Sequence, residues 1–239
     1  MRVGIIGDPH IPFEHPHYLE FCLDTFSVWK VDHVHLAGDV VDQHALGFWD
    51  HDPNGHSASD EASLARERLS TWKKRLRRRQ RDREITVSIG NHDARHFRMA
   101  RRAGIPDMYL RTYADVWDTP DWDWQESHII DGVLYEHGTG TSGKDAAINR
   151  AIQNRCSCVI GHIHCWGGVK FHCNSQDRIF GLNAGCGIDV DRYAFAYQKP
   201  FPIRPVLGCG IVIDGRYAYF EPMAIGKREP YYRKRKVVG

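Results

Sequence analysis

Apolar and polar positions along the chain fall into runs whose periods can be read directly. "RVGIIGD" (2–8) is a short apolar run ending in Gly-Asp, the pattern of a buried strand and the loop after it. "HYLEFCLDTFSVWK" (17–30) carries Leu19, Cys22, Leu23, Phe26 and Trp29 as one helical stripe. "VDHVHLAGD" (31–39) is a second strand running into Gly-Asp, followed by a polar loop over 43–60. From about Glu61 to Gln80, Ala62, Ala65, Leu69, Trp72 and Leu76 recur at helical spacing. "EITVSIGNHD" (84–93) predicts a third strand, and "ARHFRMARRAG" (94–104) a basic helix closed by Gly104. "HIIDGVLYEHG" (128–138) reads as a hairpin turning at Asp131-Gly132. A helix near 144–154, the strand of "CSCVIGHIH", and strands at 168–173, 178–183, 208–213 and 216–221 complete the pattern.

Strand–helix alternation early and hairpins late predict an α/β fold, a two-sheet α/β/β/α sandwich. With no internal repeat or Pro/Ser linker, one domain over 1–226 is expected. Residues 43–83 form an insertion loop plus basic helix within it, and 227–239 a basic C-terminal tail. The 239 residues are 42% hydrophobic and 26% charged, the balance of a globular protein that buries a core. No run approaches the ~18 apolar residues of a membrane span, and the N-terminus lacks the build of a signal peptide. Seven cysteines, an odd number without dense even spacing, point to a reducing cytoplasm rather than a disulfide scaffold. Net charge is only +2, so any electrostatic bias toward a partner is local.

Chemistry-bearing groups gather where strands end: "GDPH" (7–10), "GDVVD" (38–42), "GNHD" (90–93), "EHG" (136–138) and "GHIH" (161–164). Ligand sites in open α/β sheets lie beyond the carboxyl ends of strands, so distant segments can converge there. His162 and His164, at i and i+2, point the same way if extended. Alone, such a pair is more readily a water-bonded strand end. Together with Asp8, His10, Asp39, Asn91 and His137 it makes a mixed nitrogen and oxygen set suited to two divalent transition ions sharing a carboxylate. Magnesium alone would prefer oxygen ligands.

These five motifs, in this order over residues 7–164, resemble the calcineurin-like metallophosphoesterase superfamily. Its pattern is D-x-H, G-D-x-x-D, G-N-H-D/E, a lone H and G-H-x-H. The resemblance implies that Asp8, His10 and His164 hold one metal, that Asn91, His137 and His162 hold the other, and that Asp39 bridges them. Manganese is the foremost candidate, with iron, zinc or nickel as alternatives. It further implies that His92 protonates the leaving oxygen while Asp42 orients it, and that a hydroxide between the metals attacks phosphorus. The activity implied is hydrolysis of phosphate esters.

Departures from the pattern narrow the substrate. Protein Ser/Thr phosphatases of this superfamily carry an arginine directly after GDxxD, where this chain has Gln43. Arg95 is then the candidate substrate-binding cation. "GTGTSGK" (138–144) nearly matches a phosphate-binding P-loop, but Asp145 stands where a hydroxyl should bind magnesium. Residues 66–83 hold ten Lys/Arg against two acids. With the tail at 227–236 they are a candidate nucleic-acid contact, which favours a phosphodiester substrate. A phosphomonoesterase, and a nucleic-acid-binding module without catalysis, are the competing expectations.

Overall fold

Alternation within "RVGII" decides the layering of the molecule. In strand β1 (Arg2–Ile6), Val3 and Ile5 join one apolar cluster and Ile6 joins another on the opposite face. Gly4, facing the side of Ile6, leaves room for the Phe26 ring, which a Cβ would meet at 2.7 Å. β1 is therefore buried on both faces, and layers form on either side of it. The computed structural model describes residues 1–47, 55–79, 84–192 and 204–224.

β1 pairs in parallel with β2 (His33–Leu36), β2 with β3 (Ile85–Ser88), and β3 with the edge strand β4 (Trp122–Gln125). On its other side β1 pairs antiparallel with β10 (Gly208–Ile213), which pairs with β11 (Tyr217–Pro222). The second sheet runs β5 (Ser127–Ile130), β6 (Val133–Glu136), β7 (Cys158–Ile160), β9 (Arg178–Ala184), β8 (Gly167–Cys173). Helices α1 (Tyr18–Trp29) and α2 (Ala58–Arg79) cover the outer face of the first sheet, and α5 (Ala146–Asn154) covers the second. This is the two-sheet α/β sandwich expected from the pattern. Among the described residues, no helix is long and apolar enough to cross a membrane.

One region departs from the pattern. The stretch 105–126, which showed no clear period, holds the short helix α4 (Tyr113–Val116) and strand β4. Its one signal was alternation: Trp122 is buried and Trp124 half-buried, with Asp123 exposed between them. The cations of α2 add a feature that the pattern did not show: most of them face outward, yet five are paired with carboxylates. Arg68 pairs with Glu14, Lys73 with Asp118, Arg75 with Glu20, Arg77 with Asp121, and Arg79 with Glu20 and Asp24. These pairs tie the helix to α1, to Glu14 in the segment before it and to the loop before β4, which neutralises much of the helix's charge. Residues 80–83 and 227–236, the rest of that candidate contact, lie outside the described residues.

Between the sheets runs a polar chain that the apolar pattern hid. Ser88 Oγ donates to the carbonyl of Tyr135 at 3.1 Å, and a carbonyl can only accept. Ser88 therefore accepts from His35 Nε2–H at 3.2 Å, and His35 Nδ1 accepts from the Thr86 hydroxyl at 2.9 Å. Thr86 in turn accepts from His33 Nε2–H at 2.8 Å. One carbonyl thus sets every proton position in the chain and keeps His35 neutral, in agreement with burial pulling its pKa well down.

Candidate metal centre

β1, β2 and β3 run parallel, as do β6 and β7, and each carries candidate residues in the turn beyond its last residue. Asp8 and His10 follow β1, and Asp39 and Asp42 follow β2. Asn91 and His92 follow β3, His137 follows β6, and His162 and His164 follow β7. The turns are tight enough to place His10, Asp39, Gln43 and His162 at φ of 51°, 44°, 51° and 65°. Left-handed backbone of this kind costs a non-glycine residue roughly 1–3 kcal/mol, and such strain gathers at functional sites. The motif glycines have a steric role. A Cβ on Gly90 would strike Asp39, and one on Gly161 would strike the Asp8 carboxylate.

The structure brings all seven candidate ligands together. Ligand atoms of Asp8, His10, Asp39 and His164 lie within 4.8 Å of one another, as do those of Asp39, His137 and His162. Asp39 belongs to both groups. His10 Nε2 and His164 Nε2 approach to 3.2 Å, and His164 Nε2 lies 3.1 Å from Asp8 Oδ2. His137 Nε2 is 3.1 Å from Asn91 Oδ1 and 3.2 Å from both Asp39 Oδ2 and His162 Nδ1.

These residues fit metal ions on their own chemistry. His137 Nδ1–H donates to the Ala37 carbonyl at 2.9 Å, and His10 Nδ1–H donates to Asp42 Oδ1 at 2.6 Å. Each bond fixes the tautomer whose Nε2 lone pair faces the centre, the outer-shell arrangement usual for metal-bound histidine. Asp8 Oδ1 is buried with no hydrogen-bond partner. Lone pairs crowded against buried carboxylates are costly until a cation lies among them.

Electrostatics tells the same story. Burial disfavours a charged His137, but the carboxylates of Asp39 and Asp8 outweigh it and push its pKa up to about 10. Burial, then the neighbouring His92 charge, drops His10 to about 4. Burial works to raise Asp42, yet the His92 charge and hydrogen bonds from both histidines hold its carboxyl well below the usual range. His92 is raised because Asp39 and Asp42 overcome the burial penalty. A histidine raised from 6.5 to about 10 contributes stability that is complete below about pH 6.5 and is lost toward pH 10. Chelated protein is therefore expected to lose about 5 °C in Tm between pH 6.5 and 9. Manganese should flatten that profile by taking the proton's place; thermal melts with and without chelator check it, and a flat chelated profile contradicts it.

Sequence reasoning missed four things here. Asp42 serves two histidines, His10 and His92, the latter with Nδ1 at 2.8 Å. Asp93 accepts from the Val41 and Gly90 amides at 3.0 and 2.9 Å, stitching two motif loops together. Gln43 donates to the His92 and Asp93 carbonyls at 2.9 and 2.7 Å, so its amide braces those loops. Glu61, from α2, accepts from the His44 and Ala45 amides at 2.7 and 2.9 Å and holds the insertion against GDVVD. Arg95 is buried, with Nη1 donating to the Asp42 and Gln43 carbonyls at 3.0 and 3.1 Å and Nη2 lying 3.3 Å from His92 Nε2. The P-loop-like stretch leads to Asp145, which pairs with Lys170.

Histidine and carboxylate groups that could hold metal, gathered beyond parallel strands of a two-sheet sandwich, mark an α/β protein of the metal-binding kind. The family model for calcineurin-like phosphoesterases matches residues 1–177, and the chain belongs to that family. The family is metal-dependent and acts on phosphate esters. Comparison with curated proteins finds no match. Among solved structures, Vps29 from Cryptosporidium parvum is 12% identical with a TM-score of 0.44, covering 92% of this chain and 96% of that one. A single mutant of Vps29 from Entamoeba histolytica is 14% identical, at TM-score 0.39, over 88% and 84% of the two chains. YfcE, a phosphoesterase from E. coli, is 15% identical, at TM-score 0.38, over 89% and 88%.

Proposed function

We propose that this protein is a dinuclear metal-dependent phosphoesterase that prefers phosphodiesters. Asp8, His10 and His164 would hold one ion and Asn91, His137 and His162 the other, with Asp39 shared. The observation that carries this reading is the membership of Asp39 in both ligand groups. When bound, the ions supply an acidified water and a counter-charge for the phosphoryl oxygens.

The chain's own residues do the rest. Asp42 accepts from His92 Nδ1–H and keeps Nε2 turned toward the centre, where it protonates the departing oxygen. The Arg95 Nη2–H faces the His92 Nε2 lone pair at 3.3 Å; when His92 is charged the two groups are both donors and can no longer bond each other. A phosphoryl oxygen placed beside them accepts from both, which makes Arg95 a substrate contact. A monoester is largely dianionic at neutral pH, whereas a diester carries one charge. With Gln43 in place of a cation after GDVVD and Arg95 Nη1 engaged on two carbonyls, the charge offered beside His92 suits the singly charged diester.

We place the working unit in a single domain over 1–226 and its setting in the cytoplasm. Metal-stripped protein reloaded with manganese should hydrolyse bis-p-nitrophenyl phosphate at least about tenfold faster than p-nitrophenyl phosphate at equal concentration, a difference of ~1.4 kcal/mol in barrier. Faster monoester turnover would reverse the preference, and no turnover of either would remove the hydrolase reading.

A further inference from the structure

Helix α3 (Arg95–Arg102) begins immediately after the GNHD loop and leads from the centre to solvent. Arg95, Arg98 and Arg102 stand at i, i+3 and i+7, so they share one face, spaced along the axis by about 4.5 and 6 Å. Their surroundings change along the row. Arg95 is buried against Asp42, Gln43 and His92, whereas Arg98 and Arg102 are exposed. Arg98 Nη2 donates to the carbonyl of Asn91 at 2.5 Å, which pins it to the rim of the centre. Burial and then the Arg95 charge pull the Arg98 guanidinium down, with Arg102 adding to the effect. A row of like charges this close favours a multiply charged anion.

A second feature adjoins the row. Arg101 grips Asp107 through two bonds, Nη2–Oδ2 at 2.7 Å and Nε–Oδ1 at 3.2 Å. That fork holds the short turn Asp107–Tyr109 beside α3, where Met108 is 82% and Tyr109 73% exposed. Large apolar side chains presented so fully beside cations match the platform on which unpaired bases stack. Five of the cations on α2 are paired with carboxylates, which offsets much of that helix's charge toward a polyanion.

We propose that the α3 arginine row and Tyr109 form a track for a single-stranded nucleic acid, leading its phosphates one after another toward the metal centre. Arg95 meets the phosphate at the centre, Arg98 and Arg102 meet the next ones outward, and Tyr109 stacks a base. This rests on the phosphodiesterase reading and names its substrate class. A single strand fits because its bases are free to stack and its backbone is pliant enough to follow one helix face.

The test uses fluorescein-labelled decathymidylate and a hairpin duplex, bound to the manganese-loaded full chain in the cold and read by anisotropy before turnover. The Arg98→Ala, Arg102→Ala double variant should weaken decathymidylate at least about tenfold. It should also flatten the log affinity–log salt slope by about 1.4, which is about 0.7 for each phosphate no longer neutralised. Tyr109→Ala should weaken it about fivefold with the slope unchanged, as expected for one stacked base. Circular dichroism establishes that each variant is folded, and Tyr109→Ala and Arg102→Ala alone serve if the double variant is not. Replacing Arg66, Lys74 and Arg78 of α2 by alanine should weaken binding less than the double variant does. An α2 loss as large as the α3 loss, an unchanged salt slope, or a duplex that binds as tightly as the strand would overturn the inference. Bis-p-nitrophenyl phosphate is assayed on the same preparations. Turnover without strand affinity rejects the track alone, and strand affinity without turnover rejects the hydrolase reading alone.

Discussion

Replacing Asp39 by asparagine is expected to reduce bound metal from the proposed two ions per chain to at most one and to lower kcat/KM at least about 100-fold. The substitution keeps the shape and keeps Oδ1 as acceptor for the His92 backbone amide, which bonds it at 2.7 Å. What it removes is the charge. Asp39 Oδ2 lies 3.2 Å from His137 Nε2 and 3.6 Å from His10 Nε2, one histidine from each proposed ion. No other described carboxylate belongs to both the His10 and His137 groups. Elemental analysis of the purified variant, alongside turnover of bis-p-nitrophenyl phosphate, measures both effects. Full metal content in Asp39→Asn would contradict the shared-carboxylate arrangement.

His92→Ala should behave oppositely. Metal content stays at the wild-type level, while kcat for an ester with an alkoxide leaving group falls about 10²–10⁴-fold, the range for loss of a general acid. The side chain's nearest polar partners are Asp42 at 2.8 Å and Arg95 at 3.3 Å; its ring nitrogen groups with His10 and Asp42 but lies outside both groups that contain Asp39. p-Nitrophenolate departs without a proton, so the deficit on a nitrophenyl ester should be much smaller. Loss of positioning alone would depress both esters equally, which makes the ratio diagnostic. Because Asp39 and Asp42 raise the His92 pKa, the acid form persists above pH 6.5, and wild-type activity should fall on the alkaline side as it deprotonates. The variant should lack that limb. A metal equivalent lost in His92→Ala would make this histidine a ligand.

The elements legible in the chain were those with a strong period. The stripe Ala65, Leu69, Trp72 and Leu76 is the buried face of α2, and Asp131-Gly132 turns a hairpin with φ of 49° and 75°. Strand β4 escaped because, unlike the equally short β2 and β3, it does not run into a Gly-Asp or Gly-Asn turn that would announce it. The basic helix was legible as a helix, but not the partners of its charges. Those partners lie 44 to 59 residues away along the chain, from Arg77 with Asp121 to Arg79 with Glu20, and composition holds no record of such pairings.

The chain by itself determined which residue types stand in the turns after β1, β2, β3, β6 and β7. Turn chemistry and strand ends are local, and glycine next to aspartate or histidine announces them. Only the tertiary structure decided which ligands share a neighbourhood, that Asp39 stands in both groups, and that Asp42 serves His10 as well as His92. It also decided that Gln43 and Arg95 are spent largely on holding loops. Those facts depend on sub-ångström placement of segments up to 156 residues apart, as between Asp8 and His164, and such placement follows from how two sheets pack.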